Sequence, residues 1–188
     1  MLRSVTAKPT RQRRLFLFVV ASFLLCIGTV QADTDWQTLK SKAGKFSILM
    51  PAKPKLKETS TPSPVGRIPE EIYEAKTPQL KVIAEYSKLP SVAVFFGGHK
   101  TILKKSVTAF IQGEKGTLQK QEDIELQGFP GTAITFTAPD KTGGTDFGKA
   151  HFYLVKKLLY VLVAKTPKAK SDLAGQDRFL NSFKLKHK

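Results

Sequence analysis

The chain has 188 residues, with 31 Lys and Arg against 15 Asp and Glu, and 41% of it is hydrophobic. That apolar share excludes a disordered basic tail, and the single Cys excludes an intramolecular disulfide framework. The formal net charge of +16 points to nucleic acid or another anionic partner until its position along the chain is known.

Residues 1–14 hold Arg3, Lys8, Arg11, Arg13 and Arg14 and no acid. Leu15 to Val30 is an apolar run broken only by Ser22, Gly28 and Thr29, and it closes on Val30-Gln31-Ala32. A basic start, an apolar middle and a small residue at the end form the layout of a secretory signal peptide. It predicts residues 1–32 as a leader cleaved between Ala32 and Asp33, leaving one globular domain over 33–188. The alternative is an uncleaved inner-membrane anchor. A run of 16 residues is short of the roughly 20 that a spanning helix needs. Arg13-Arg14-Leu15-Phe16-Leu17 fits the core of a twin-arginine signal, but Gln12 stands where Ser or Thr is usual, so the general secretory route is preferred. Leu25 before Cys26 breaks a lipobox. Without the leader the chain keeps 26 basic and 15 acidic residues, a net +11, and no Cys. No thiol nucleophile, iron–sulfur cluster or Cys-based zinc site remains in it.

In chain order, Trp36–Ser41 and Phe46–Met50 are expected strands around Ala43-Gly44-Lys45, with Gly44 at the positive-φ position. Lys53, Lys55 and Lys57 alternate, and read as an edge strand kept soluble rather than as an anion-binding stripe. Ser60-Thr61-Pro62-Ser63-Pro64 is a loop by composition. Ile68–Lys76 and Gln79–Lys88 read as an antiparallel pair around Thr77-Pro78. Leu80, Val82, Ala84 and Tyr86 alternate with Lys81, Ile83, Glu85 and Ser87, the pattern of a half-buried strand. Gly97-Gly98 introduces a helix near Lys100–Gln112, striped by Leu103, Val107, Phe110 and Ile111, with Gly113 as its C-cap. Four more strands follow at Thr117–Leu126, Thr132–Ala138, Asp146–Val155 and Leu158–Lys165. A last helix starts at Ser171 as N-cap, with Asp172 in its first turn and Leu173, Phe179, Leu180 and Phe183 toward the core. Phe183-Lys184-Leu185 adds a short closing strand.

Six to eight strands, mostly hairpin-linked, with about two separated helices, predict an α+β fold built on an antiparallel sheet. Strand and helix do not alternate, which argues against a Rossmann-type sheet. Several pieces resemble one bacterial exported domain. They are Trp36 with Gly44-Lys45-Phe46-Ser47-Ile48-Leu49-Met50-Pro51, then Leu126-Gln127-Gly128-Phe129-Pro130-Gly131. The Tyr153 strand, the Lys156-Lys157 turn and Leu159–Val163 follow. The last is Arg178-Phe179-Leu180-Asn181-Ser182-Phe183-Lys184-Leu185. Together they are similar to the PsbP-like and DcrB-like group. That resemblance implies an α/β/α sandwich over nearly the whole of 33–188. The group includes extrinsic photosystem II subunits and many exported proteins of unknown role. Its motifs specify a fold rather than an activity, and no binding residue carries over.

Chemistry is sparse in the sequence. His99, His151 and His187 fall at no helical metal-ligand spacing, and no His-Glu-x-x-His occurs. A site joining His99 and His151 to a carboxylate in three dimensions is the metal-dependent or hydrolytic alternative. Gly98-His99-Lys100-Thr101 departs from a phosphate loop because His99 interrupts the Gly-Lys-Thr order. Glu70, Glu71 and Glu74, and Glu122, Asp123 and Glu125, could supply paired carboxylates. They read first as solvated faces or lysine partners. Phe95, Phe96, Phe110, Phe136, Phe147, Phe152, Tyr153 and Tyr160 sit at core-like positions rather than forming base-stacking platforms.

These observations predict an exported, non-enzymatic binding or accessory protein of the bacterial envelope, periplasmic or extracellular, with no catalytic, metal or cofactor site. Its partner is an envelope protein or an anionic membrane or polymer surface. No nucleic acid is expected as a partner, and no transmembrane segment in 33–188. The second half of the chain, 97–188, carries 16 basic and 8 acidic residues, so the charge is weighted there. Arg67 and Arg178 are the only arginines after the leader. Lysine is a hydrated point charge, less suited than arginine to shaped phosphate recognition, so the excess predicts diffuse attraction.

Overall fold

The computed structural model describes residues 36–63, 66–167 and 172–186. The expected leader with its Ala32–Asp33 cleavage site, Ser171 and His187 lie outside them. These described residues form one compact unit. In chain order its elements are β1 (Gln37–Ser41), β2 (Phe46–Met50), β3 (Lys55–Ser63), β4 (Gly66–Lys76), β5 (Lys81–Lys88), α1 (Ser91–Gly97) and α2 (His99–Gly113). They continue with β6 (Thr117–Leu126), β7 (Phe129–Pro139), β8 (Thr145–Val155), β9 (Leu158–Pro167), α3 (Leu173–Asn181) and β10 (Lys184–Leu185).

Seven strands form one antiparallel sheet in the order β3-β4-β5-β9-β8-β7-β6, and β1-β2-β10 form a second, small one. The fold is α+β and antiparallel, as the hairpin-rich sequence predicts. Period-two alternation puts successive side chains on opposite faces of the large sheet. On one face Tyr86, Tyr153, Tyr160 and Leu162 pack with Phe46, Ile48 and Met50 of β2 and with Phe179 and Leu180 of α3. On the other, Phe136, Phe152, Val161 and Val163 pack with Leu103 and Val107 of α2. The middle strand β9 is thus buried on both sides, and each of its fully buried large apolar side chains contributes roughly 1.5–3 kcal/mol. The two edges are blunted by Lys55, Lys57 and Pro62 on β3 and by charged residues along β6.

The structure departs from the sequence expectations at several points. The turn between β1 and β2 takes its positive φ, 53°, at Lys45 and not at Gly44. Gly44 is needed for space, since a Cβ there would lie 2.7 Å from carbons of the Phe46 and Tyr86 rings. Residues Ser60 to Ser63 belong to β3 instead of a loop. An edge strand pairs on one side only, so Pro62, which lacks an N–H, does not end it. Gly113 lies inside α2, and Glu114, in a right-handed conformation, is the C-cap. The N-cap of α3 is Asp172, whose Oδ1 accepts the Gly175 N–H at 2.8 Å. Leu173, expected in the core, is exposed because it opens the first turn of α3 on the solvent side. A third helix, α1, occupies 91–97 and buries none of its residues. Phe95 and Phe96, also expected in the core, therefore stand 81% and 80% exposed.

Candidate functional site

A cleft of about 1030 Å³ lies at the end of the large sheet where the β1–β2 hairpin, the β8–β9 turn and α1 meet. Its walls include Val94, Phe129, Leu158 and Tyr160. Lys45, Lys88, Lys156, Lys157 and Lys186 line it, and all five are exposed. Among the described residues none of them is in an ion pair. They come from four separate chain segments, so no local run of sequence announces them.

Two of these lysines hold a backbone conformation that their side chain disfavours. Lys45 has φ 53° and Lys156 has φ 55°, both in the left-handed region. A non-glycine residue there costs about 1 kcal/mol. Asn-Gly or Asp-Gly is the usual choice for a two-residue hairpin such as the β8–β9 turn. The backbone also pins these segments. Lys186 N–H donates to the Lys45 carbonyl and Leu89 N–H to the Lys157 carbonyl, both at 2.8 Å.

Glu58, Glu70 and Glu71 also line the cleft. Glu71 is held by two phenols, with Tyr86 donating to Oε1 and Tyr73 to Oε2, each at 2.7 Å. Burial, and then the bond to the Glu71 carboxylate, raises both tyrosines above the usual phenol range. Burial pushes Tyr160 up to about 12. Both oxygens of Glu71 are therefore engaged, one by Tyr73 within β4 and one by Tyr86 across to β5. Glu74 pairs with Lys81 at 3.2 Å, and Glu122 pairs with Lys120 on the exposed edge strand. Glu85, on β5, is pushed up to about 7 by burial and by the neighbouring Glu70. It does not line the cleft.

The two described histidines lie on opposite faces of the large sheet. His99 is exposed at the start of α2 and touches both the lysine-lined cleft and a second one of about 660 Å³ beneath α2. His151 alternates with Ala150 and Phe152, which face α2, so it points the other way, toward Asp177 of α3. Burial pushes it down to about 4, and its Nδ1 sits 3.2 Å from the Tyr153 hydroxyl. The sequence-derived pairing of His99 with His151 is therefore not made. Among the described residues no cluster of three or more His, Cys, Asp or Glu could hold a metal ion. Gly98 is the N-cap of α2 at φ 67°, which accounts for the Gly97-Gly98 pair as a tight helix entry. No helix among the described residues is long and apolar enough to cross a membrane.

No family model matches the chain, and no curated protein matches it. Solved structures do. The solution structure of cyanobacterial PsbP (CyanoP) from a Synechocystis species superposes with a TM-score of 0.56 at 13% identity, over 86% of this chain and 98% of that one. The fold is PsbP-like. Two further structures match more loosely. A Pseudomonas aeruginosa protein of unknown function gives a TM-score of 0.38 at 13% identity, over 72% of this chain and 85% of that one. A Bacteroides thetaiotaomicron protein gives 0.47 at 8% identity, over 81% of this chain and 49% of that one. At these identities the PsbP-like likeness concerns architecture, so the lysine-lined cleft is read from this chain's own residues.

Sequence reasoning noted Lys156-Lys157 only as a turn and passed over Lys88 and Lys186. The one local signal was lysine standing where a tight hairpin favours Asn or Gly.

Proposed function

We propose that this is an exported, non-enzymatic binding or accessory protein of the bacterial envelope, which holds a partner bearing anionic groups at the lysine-lined end of its large sheet. The observation that carries this reading is the convergence on one cleft of five exposed lysines that form no ion pair among the described residues, two of them kept in strained turns. The separation of His99 from His151 and the engagement of Glu71 by two phenols support binding over catalysis. The basic-apolar-small layout of residues 1–32 supports export and removal of a leader before Asp33. Lysines act here as point charges, so affinity depends on charge density and salt rather than on one shaped phosphate pocket.

The test is titration of a chain starting at Asp33 with dextran sulfate at several salt concentrations. Affinity is expected to fall steeply with salt, and to fall at low salt in the triple variant Lys88→Ser, Lys156→Gly, Lys157→Ser. Binding that these substitutions leave unchanged would refute the cleft as the site. Export is checked separately by the N-terminal mass of protein recovered outside the cytoplasm, expected to begin at Asp33.

A further inference from the structure

We infer that α1 is an interfacial anchor, with Phe95 and Phe96 entering the headgroup–acyl boundary of an anionic bilayer while the lysines beside it meet the lipid phosphates. This rests on the reading of the lysine-lined end as an attachment surface, and names the partner.

The helix is anomalous for an element that stays in water. Its sequence, SVAVFFG, carries no charge, yet it buries no residue. Phe95 and Phe96 are 81% and 80% exposed, and Val92 is 44% exposed. The two rings pack edge-to-face on each other, centroids 5.1 Å apart. Large exposed aromatics gathered in one place mark an interaction surface. The Gly98 N–H caps the end of α1 on the Val94 carbonyl, and a Cβ at Gly97 would lie 3.2 Å from the Ile102 side chain of α2.

Charge selects the occupant. Phe95 lines the same cleft as Lys45, Lys88, Lys156, Lys157 and Lys186, and exposed Lys100 follows α1 in the first turn of α2. Apolar side chains flanked by lysine are the composition of interfacial anchors. The rings enter the boundary region while the ammonium groups stay at phosphate level on their long stems. Each lysine adds a salt-screened attraction to an anionic leaflet. The two arginines after residue 32, which could give fork-shaped recognition of one phosphate group, are engaged elsewhere. Arg67 donates to Ser60, and Arg178 lies over the Trp36 ring at 4.7 Å. Point charges around an apolar wedge fit a charged surface better than a single small anion.

The experiment uses the chain from Asp33, because the apolar run Leu15–Val30 would itself partition into lipid. Co-sedimentation is measured with phosphatidylcholine vesicles, with and without phosphatidylglycerol. Binding is expected only with phosphatidylglycerol, and the exposed-site variant Phe95→Ser/Phe96→Ser is expected to lower the partition coefficient about tenfold or more. Circular dichroism checks that this variant keeps its fold. In a Trp36→Phe background, Phe96→Trp is expected to shift its emission to the blue on vesicles and to be quenched by lipids brominated along the upper acyl chain. Binding that persists in the phenylalanine variant but is lost in Lys88→Ser/Lys156→Gly/Lys157→Ser overturns the anchor and leaves the attachment surface standing. Absence of vesicle binding, or binding indifferent to both sets, overturns the anchor, and the dextran sulfate titration then decides the surface alone. A dimer in sedimentation that Phe95→Ser/Phe96→Ser dissolves, without vesicle binding, assigns α1 to self-association and also overturns the anchor.

Discussion

The Tyr160 hydroxyl donates to the carbonyl oxygen of Gly44 at 2.7 Å, joining the middle strand of the large sheet to the β1–β2 hairpin 116 residues earlier in the chain. Gly44 also donates its N–H to Ser41 Oγ at 2.9 Å, so both of its backbone groups are satisfied inside the core. Tyr160→Phe leaves the carbonyl buried without that donor, and is expected to cost about 1–3 kcal/mol in urea unfolding. Gly44→Ala sets a methyl group against the Phe46 and Tyr86 rings, and overpacking of this kind costs about 1–3 kcal/mol. Gly44 and Tyr160 share one contact, so the double variant should be less destabilised than the sum of the two.

Much of the large sheet was legible in the sequence because strands such as β5 alternate in burial, as in Leu80, Val82, Ala84 and Tyr86, and because Thr77-Pro78 and Lys156-Lys157 punctuate the strands. The ends of elements were less legible. Ser60 to Ser63 have loop composition, yet pairing with Gly66 to Pro69 makes them strand. The cap of α3 moved to Asp172 because its carboxylate reaches the Gly175 N–H. Phe95 and Phe96 misled for a different reason. Composition reports how apolar a residue is, while burial depends on whether another element is available to cover it. The lysine-lined cleft was hidden because its members are distant in sequence and only the hairpin ends bring them together.

Glu71 accepts from two phenols, Tyr73 on its own strand β4 and Tyr86 across on β5. Glu71→Gln replaces a two-oxygen acceptor with one acceptor and one donor, so one of Tyr73 and Tyr86 loses its partner. A loss of about 1–3 kcal/mol is expected in chemical denaturation. Phenol titration followed by ultraviolet absorbance supplies a second readout. Removing the carboxylate should lower the pKa of both Tyr73 and Tyr86 toward the ordinary phenol value. An unchanged tyrosine titration would refute the coupling.

Stability against pH carries two opposing contributions. Glu85 is raised from 4.5 to about 7 by burial and then by Glu70. The folded state therefore binds its proton more tightly than the unfolded state does. The stability this gives is complete below about 4.5 and is lost as pH rises through about 7. His151 is lowered from 6.5 to about 4 by burial, only partly countered by Asp177, with Lys149 adding to the lowering. Its contribution is complete above 6.5 and is lost as pH falls toward about 4. Glu85→Gln should match the parent near pH 4 and exceed it by about 1–3 kcal/mol at pH 8. His151→Gln should do the reverse, matching the parent at pH 8 and losing less on acidification. Denaturation midpoints across this range test both, and identical pH profiles for parent and variants would refute the assignment.

Strain and charge meet in the turn lysines, and substitution separates them. Lys45 and Lys156 hold φ values of 53° and 55°, which glycine adopts without steric penalty. Relief of this strain should outweigh the greater backbone freedom that glycine has when unfolded. Lys45→Gly and Lys156→Gly are each expected to raise stability by about 0.5–1 kcal/mol. If the two lysines serve only to close hairpins, that gain is the whole effect. If they face an anionic partner, each variant should also bind dextran sulfate more weakly at low salt, with a shallower salt dependence, despite being more stable. Glu122→Gln, on the exposed edge strand away from the cleft, serves as the control that changes net charge by one unit in the opposite direction. Tighter binding by that control, equal in size to the weakening in the turn variants, would show that net charge rather than the position of Lys45 and Lys156 sets the affinity.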